Sequence, residues 1–473
     1  MLRDARASSP SRLWSNGLGG VCGLTLAALA LFWGTMLPLA APWEYAEGDC
    51  ATWIWMLRHG ESLYGAATGL AMRKSNYPPL YLGLVAQLAP SDGAILVTGR
   101  LVSLVGFSLA AAMVALCVRR ATSSTGAAGI AVALLGGAAS FGQWGAICRP
   151  DALAVGLGAA GVTCVALRVR GWPLAAACCF AASLMAKQSL IIFPVGAIGW
   201  ALLSERRRGL LLAVATAALV LAAVSLGNLW QPLVENSVAR WELQRFLKNG
   251  LRYAVPLTAG IVLSLGVFRR WPALSEEARG VAGPWLSVLL VALPWTASLG
   301  RVGASYNYLF ELTVALSVLA TLAAQTDRRG VLLLVHASLG LFFTLSNGLE
   351  KVAVTRPRAA AEMQAAQAAL NGVGGDVLSE QSAYVLSSGR PDVVVPFLAA
   401  RLSAVGRWDS RPLVQALLRG EIARVLLQFS IDDADAAGEM EHRERFPSEV
   451  LSAIRARYEL KRQAGELRIY EPR

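Results

Sequence analysis

The first 347 residues alternate between long uncharged stretches and short charged ones. The uncharged stretches are 13–43, 101–118, 121–148, 152–167, 171–186, 188–204, 209–234, 253–268, 280–300, 312–326 and 330–349. A bilayer-spanning helix takes about 20 apolar residues, within a range of roughly 17–25. The shorter stretches reach that length by including charged ends whose side chains snorkel to the interface. The pattern predicts about eleven spans. After residue 347 it changes. Short apolar runs at 376–379, 393–396, 424–429 and 467–470 alternate with helical patterns at 411–418 and 448–458. That alternation reads as a small α/β module, joined through an Ala- and Gln-rich helix over 355–370. The expected fold is an all-α polytopic membrane domain, 1–347, followed by a small α/β domain, 348–473.

Composition agrees. Only 16% of the residues are charged and the mean hydropathy is +0.50, whereas a soluble domain carries about 25% charge. An ordinary soluble enzyme and a disordered chain are both excluded. The net charge of +12 is unevenly placed. Residues 1–347 hold 26 Lys and Arg against 14 Asp and Glu, while residues 348–473 hold 17 of each. The basic clusters sit at the ends of apolar runs, so they do not mark a nucleic-acid surface. They are Arg3, Arg6 and Arg12; Arg119 and Arg120; Arg168 and Arg170; Arg206 to Arg208; Arg269, Arg270 and Arg279; and Arg328 and Arg329. They occupy every second connection. The positive-inside rule then places the N-terminus inside, and an odd number of spans puts the 348–473 domain outside. The first apolar stretch is far longer than the 7–15-residue core of a cleaved signal peptide. High Ala, Gly and Arg with few Lys points to a bacterial inner membrane.

The outward connections differ from the inward ones. Segment 44–100 carries Glu44, Glu47, Asp49, Arg58, His59, Glu61, Arg73, Lys74 and Asp92. Further on come Arg149-Pro150-Asp151, Lys187-Gln188, the mixed segment 235–252 with Glu235, Arg240, Trp241, Arg245 and Lys248, then Arg301, Tyr306-Asn307-Tyr308 and Glu311. Ionisable groups at membrane depth are costly and mark functional sites by default. Their bland alternative is anchorage at loop ends. Arg149 has Asp151 as a ready partner, whereas Lys187 has no acid close in sequence. An unpaired buried ammonium is expensive, so Lys187 calls for an anionic ligand or a carboxylate such as Glu311. Tyr77, Trp53 and Trp55 fit interfacial anchors as well as a sugar-stacking surface, and 235–252 fits an interfacial helix. Of seven Cys, Cys50 and Cys148 both fall at the outer face; two apolar fillers is the simpler reading than a disulfide. No phosphate-loop, dinucleotide or zinc spacing occurs.

Several of these pieces occur in a telling order. An acidic Glu47-Gly48 follows the first span. Then come Leu57-Arg-His-Gly-Glu-Ser-Leu-Tyr64, Asn76-Tyr-Pro-Pro-Leu-Tyr81 and Gly99-Arg-Leu-Val-Ser103, followed by Arg149-Pro-Asp151, Lys187-Gln-Ser189 and Tyr306-Asn-Tyr-Leu-Phe-Glu311. Here the chain resembles the GT-C class of integral-membrane glycosyltransferases, which includes the protein O-mannosyltransferases and the lipid A aminoarabinose transferases. The resemblance covers roughly residues 20–350. It departs from the class where relatives often have two adjacent acids after the first span, since Gly48 separates Glu47 from Asp49.

The resemblance implies a polyprenyl-phosphate-linked sugar donor held at the outer leaflet and a glycan, lipid or protein acceptor. It requires no cofactor, and leaves room for a divalent metal near Glu47 and Asp49. Such a transfer needs a base for the acceptor hydroxyl and cations for the departing phosphate. Glu47 is the first choice of base and Asp49 the second. On a helix the two would point about 200° apart, and Gly48 permits an irregular backbone, so both stay open. Asp49 also suits a cap for the helix after it. The phosphate-binding candidates are Arg73, Lys74, Arg149, Lys187, Arg245 and Arg301. Tyr77, Asp151, Tyr306, Asn307 and Glu311 are the substrate-binding candidates. The alternative function is a transporter or lipid flippase, which would more often show midplane helix breaks and paired repeats.

Overall fold

The computed structural model describes residues 10–65, 69–138, 141–230, 239–325, 330–432 and 445–473. Arg3, Arg6, Glu235, Arg328 and Arg329 lie outside these ranges. All eleven uncharged stretches are helical over most of their length. The corresponding elements are α1 (Pro10–Met36), α4 (Ile95–Thr122), α5 (Thr125–Gly137), α7 (Asp151–Leu167), α8 (Trp172–Ala186) and α9 (Ile192–Ser204), then α10 (Arg206–Leu226), α12 (Thr258–Arg269), α13 (Glu276–Trp295), α14 (Phe310–Gln325) and α15 (Gly330–Glu350). Helices α2 (Tyr45–Arg58) and α3 (Pro79–Leu88) lie in the first long connection. The single-turn α6 (Phe141–Trp144) precedes α7, and α11 (Leu243–Asn249) precedes α12. Among the described residues six helices are long and apolar enough to cross a bilayer, and a seventh span arises if Leu243–Tyr253 and Val255–Arg269, bent by 40°, count together. The chain is a multi-pass membrane protein. Helices α5, α7, α8 and α9 are shorter apolar helices of 13 to 17 residues.

Local chemistry explains the boundaries. Helix α4 stops where Ser123 turns left-handed, at φ 55°, and Ser124 then caps α5 by accepting from Ala127 N at 3.1 Å. Glu44 caps α2 through Ala46 N at 2.9 Å. The backbone amides exposed at a helix start need such acceptors.

The α4–α7 crossing positions the polar ends of these helices. A Cβ on Gly106 would overlap the Leu153 backbone, and one on Gly156 would overlap the Gly106 carbonyl. Small residues let two membrane helices approach this closely. Side-chain hydrogen bonds finish the job: Ser103 Oγ donates to Arg149 O at 2.9 Å and Tyr81 Oη to Gly99 O at 2.8 Å. Ser183 Oγ joins α8 to α7 through Ala154 O at 2.7 Å.

The tail follows helix α16 (Arg356–Leu370) and forms one sheet in the order β1-β2-β4-β3. Strand β1 (Asp376–Ser379) pairs parallel with β2 (Ile422–Leu427). Strand β4 (Leu467–Pro472) pairs antiparallel with β2 and with β3 (Tyr458–Ala464). Four helices pack with it: α17 (Ser382–Leu386), α18 (Pro396–Ala404), α19 (Arg411–Arg419) and α20 (Ser448–Arg457). Two expectations change here. Segment 393–396 is not a strand of the sheet; it docks on the long loop between α2 and α3, with Met72 N donating to Val393 O at 3.0 Å and Val395 N to Met72 O at 2.7 Å. Strand β3 appears where no apolar run marks it, because it is an edge strand with mostly exposed residues, and such edges carry charge to discourage pairing.

The tail also sits on α2. Gly48 belongs to a regular helix, and its role is close approach: a Cβ there would overlap Gln381 Oε1 and lie 2.8 Å from Ala383 N. Alanine is the better helix former by about 1 kcal/mol. Gly48→Ala is nevertheless expected to loosen the tail from α2, read as faster limited proteolysis of the 348–473 region in detergent-solubilised protein.

Candidate active site

Residues i and i+2 of a helix diverge, and α2 uses this to send its two acids to different places. Glu47 turns inward and is fully buried with Arg100 of α4. Arg100 Nε donates to Glu47 Oε1 at 2.8 Å and Nη2 to Oε2 at 2.7 Å. Both oxygens are occupied further, by Cys148 N at 2.9 Å and Trp43 N at 3.0 Å. The guanidinium reaches past Glu47 to the end of α1. Its Nη1 donates to Met36 O at 3.3 Å and to Leu39 O, and its Nη2 to Ala41 O at 2.8 Å. Glu47, the first choice of base from the sequence, thus has every lone pair directed at a donor.

Asp49 is the acid left over. It is 6% exposed, and its Oδ1 has no hydrogen-bond partner among the described residues. Glu44, not Asp49, caps α2. Burial pushes the Asp49 carboxyl up to about 7; Arg445 opposes that rise, Glu44 adds to it and Arg149 opposes it. A carboxyl held near neutrality is suited to proton transfer at physiological pH.

Arg149 is the hub next to it. Its Nη1 meets Glu44 Oε1 at 3.4 Å, its Nη2 donates to Tyr77 Oη at 3.1 Å, and its Nε lies 3.3 Å from Asp151 Oδ2. The guanidinium also stacks 4.7 Å above the Trp144 ring, a cation–π contact. Asp151 starts α7 and pairs with Lys187, the residue that ends α8. So Lys187 finds its carboxylate in Asp151, while Glu311 adds an electrostatic contribution. Asn307 hydrogen-bonds Asp151. Two acceptors here, Asn307 Oδ1 and Glu311 Oε1, are buried without a hydrogen-bond partner among the described residues. Buried acceptors left open this way are costly and fit a ligand rich in hydroxyl groups.

The remaining candidates fall outside this cluster. Arg73 pairs with Glu61 at 3.6 Å, and Lys74 Nζ donates to Ser62 O and Tyr64 O, both at 3.1 Å. Their loop still touches the cluster, since Trp53 Nε1 donates to Arg73 O at 3.0 Å and its ring meets Tyr77 edge-on. Arg245, Arg301 and Tyr306 share a different assembly. There Trp241 bridges Arg301, Arg245 pairs with Glu242 at 3.4 Å, and Tyr306 packs on Tyr253 with ring centroids 3.9 Å apart. Cys50 and Cys148 are both buried free thiols. Among the described residues no three His, Cys, Asp or Glu side chains converge as metal ligands.

Two participants were not picked out as site residues from sequence. Arg100 stands in a quoted motif but at the head of an apolar span, where a snorkelling arginine is the ordinary reading. Arg445 lies in a charged run of the tail that carries no positional signal. It stacks 3.4 Å above the Tyr45 ring and lies 3.6 Å from Glu380 Oε1.

Neither a protein-family model nor a curated protein sequence matches the chain. Solved structures do match its fold. The apo crystal structure of ArnT from Cupriavidus metallidurans superposes with a TM-score of 0.60 at 13% identity, over 95% of this chain and 97% of that one. Its undecaprenyl phosphate-bound form gives 0.60 at 14% identity, over 95% and 98%. An apo oligosaccharyltransferase from Archaeoglobus fulgidus gives 0.53 at 11% identity, over 92% and 73%. The chain has the fold of these membrane transferases across nearly its whole length.

Removing one partner of a buried ion pair costs about 3–5 kcal/mol. Arg100→Met is therefore expected to lower the melting temperature sharply, and Glu47→Gln to lower it too, both measured by size-exclusion retention after heating. A different outcome is expected at the second pair. Lys187→Met and Asp151→Asn should each destabilise, and the double variant should lose less than their sum, measured in the same assay.

Proposed function

We propose that this protein is a membrane glycosyltransferase. It moves a sugar from a polyprenyl-phosphate-linked donor to a glycan, lipid or protein acceptor at the outer face of a bacterial inner membrane, with the N-terminus cytoplasmic and the tail outside. The observation that carries this reading is the Asp49 carboxylate, buried with an open oxygen beside Arg149 on a fold shared with transferases. A similar protein binds undecaprenyl phosphate, which supports a lipid of that class as donor carrier. The transporter alternative is not favoured, because the similar folds are those of transferases.

In this reading Asp49 takes the proton of the acceptor hydroxyl. The freed oxygen attacks the anomeric carbon, and the bond to the donor phosphate breaks. Arg149 and Lys187 supply positive charge toward the leaving phosphate in a site shielded from water, where such charge acts most strongly. Arg73 and Lys74 border the site on its loop side. Arg245 and Arg301, beside the exposed Trp241 and Leu247, would meet the lipid headgroup before it reaches the site. Asn307 and Glu311 accept hydrogen bonds from sugar hydroxyls, and Tyr77 forms part of the wall. Glu47 holds the scaffold.

The test is transfer of label from a panel of polyprenyl-phosphate sugars to an envelope fraction by purified protein in lipid. Wild type is expected to transfer from at least one donor. Asp49→Asn is expected to lose about 10²–10⁴-fold in rate, the usual contribution of a positioned base, while keeping its melting temperature. Because the base must be deprotonated, the wild-type rate should rise with pH through about 7. Undiminished transfer by Asp49→Asn would remove Asp49 from the mechanism.

A further inference from the structure

The tail has no need to touch the acid of α2 merely to be tethered, since 393–396 already binds it to the outer loop. Yet α17 packs on α2 at Gly48, where there is no room for a side chain. The neighbouring face of α2 carries Tyr45 and Asp49, one turn apart and thus stacked on one side of the helix. Over that face lies Arg445. Its guanidinium is stacked on Tyr45 at 3.4 Å and steadied by Glu380 at 3.6 Å, with 20% of the side chain exposed. Glu380 is itself fixed, because its backbone N donates to Leu426 O and its Oε2 accepts from Gln428 N, both at 2.8 Å. The arginine is therefore held by the β1–β2 core of the tail and presented to α2.

We propose that the tail is part of the reaction site: Arg445 is a positioning residue that locks the Tyr45–Asp49 face of α2 and supplies a cation to the Asp49 carboxylate. This rests on the reading of Asp49 as base, and it assigns the outer domain a part in the chemistry. Undocking the tail would withdraw one of the two cations that, among the described residues, act on Asp49. Among the described residues the groups facing Asp49 are Glu44, Tyr45 and Cys50 from its own segment, Arg149 from the α6–α7 connection, and Arg445 from the tail. Loss of Arg445 leaves Arg149 as the one cation among the described residues that opposes Glu44, so the carboxyl must become harder to ionise. The sign is fixed: an adjacent cation favours the charged form of an acid.

The experiment uses the full chain in lipid and compares wild type, Arg445→Gln and Arg445→Lys. The Asp49 carboxyl band in infrared spectra, identified by its loss in Asp49→Asn, is titrated directly. Its midpoint is expected to rise by about one pH unit in Arg445→Gln, a tenfold change in ionisation, and to return part of the way in Arg445→Lys. In the transfer assay Arg445→Gln is expected to lose about fivefold at pH 7, the fall in ionised carboxylate when a midpoint near 7 rises by one unit, and to recover toward the wild-type rate at pH 9. An unshifted carboxyl band, or a rate loss equal at every pH, would overturn the proposal. If wild type transfers no sugar the glycosyltransferase reading fails, whereas the band still decides whether Arg445 governs Asp49.

Discussion

The Glu47–Arg100 pair is the constraint on which the candidate site depends. Two opposite charges are fully buried together, and each is hydrogen-bonded to its limit. Burying a charge is tolerable only under such complete pairing. The pair joins four pieces of chain at one point: the end of α1 through its carbonyls, α2 through Glu47, α4 through Arg100, and the approach to α7 through Cys148 N. The exit of α1 leaves carbonyls without helical partners, and a guanidinium with five donors is suited to collecting them. That clamp ties α2 to the helix ends from which Arg149 follows.

Asp49 gains its character from what the clamp excludes. A helix cannot turn residues two apart toward the same neighbour. With Glu47 anchored inward, Asp49 must face the other way, toward Arg149 and the tail. Burial then keeps its carboxyl near neutrality. Around it the charges are ordered as pairs, Arg149 with Glu44 and Asp151, Lys187 with Asp151, and Arg445 with Glu380. Several acceptors stay open. The arrangement holds its cations in place before any ligand arrives, which is the economical way to stabilise charge that develops during a reaction.

Much of the fold was readable along the chain. Uncharged runs marked the membrane helices because lipid tolerates little else, and a change of period marked the tail. The order of polar motifs on alternate connections placed Asp151, Lys187, Asn307 and Glu311 in one region, and the structure brings those four together. Arg245, Arg301 and Tyr306 carried the same kind of signal and assemble apart from them. Linear position on one side of a membrane does not say which of several loops will meet. Strand β3 was missed because an exposed edge needs no apolar alternation.

The sequence by itself determined that the chain is a multi-pass helical membrane protein with a small sheet-containing C-terminal module, and it supplied the short list of ionisable groups, since these follow from hydropathy, chain period and residue type. It could not choose between Glu47 and Asp49. What separates their surroundings is pairing: Arg100, 53 residues away along the chain, engages both oxygens of Glu47 and leaves Asp49 to other neighbours. Nor could it bring Arg445 to Tyr45, because the contact depends on how the tail docks through a glycine in α2. Ionisable groups take their roles from their neighbours, and in this chain most of those neighbours meet only when distant helix ends and the tail come together.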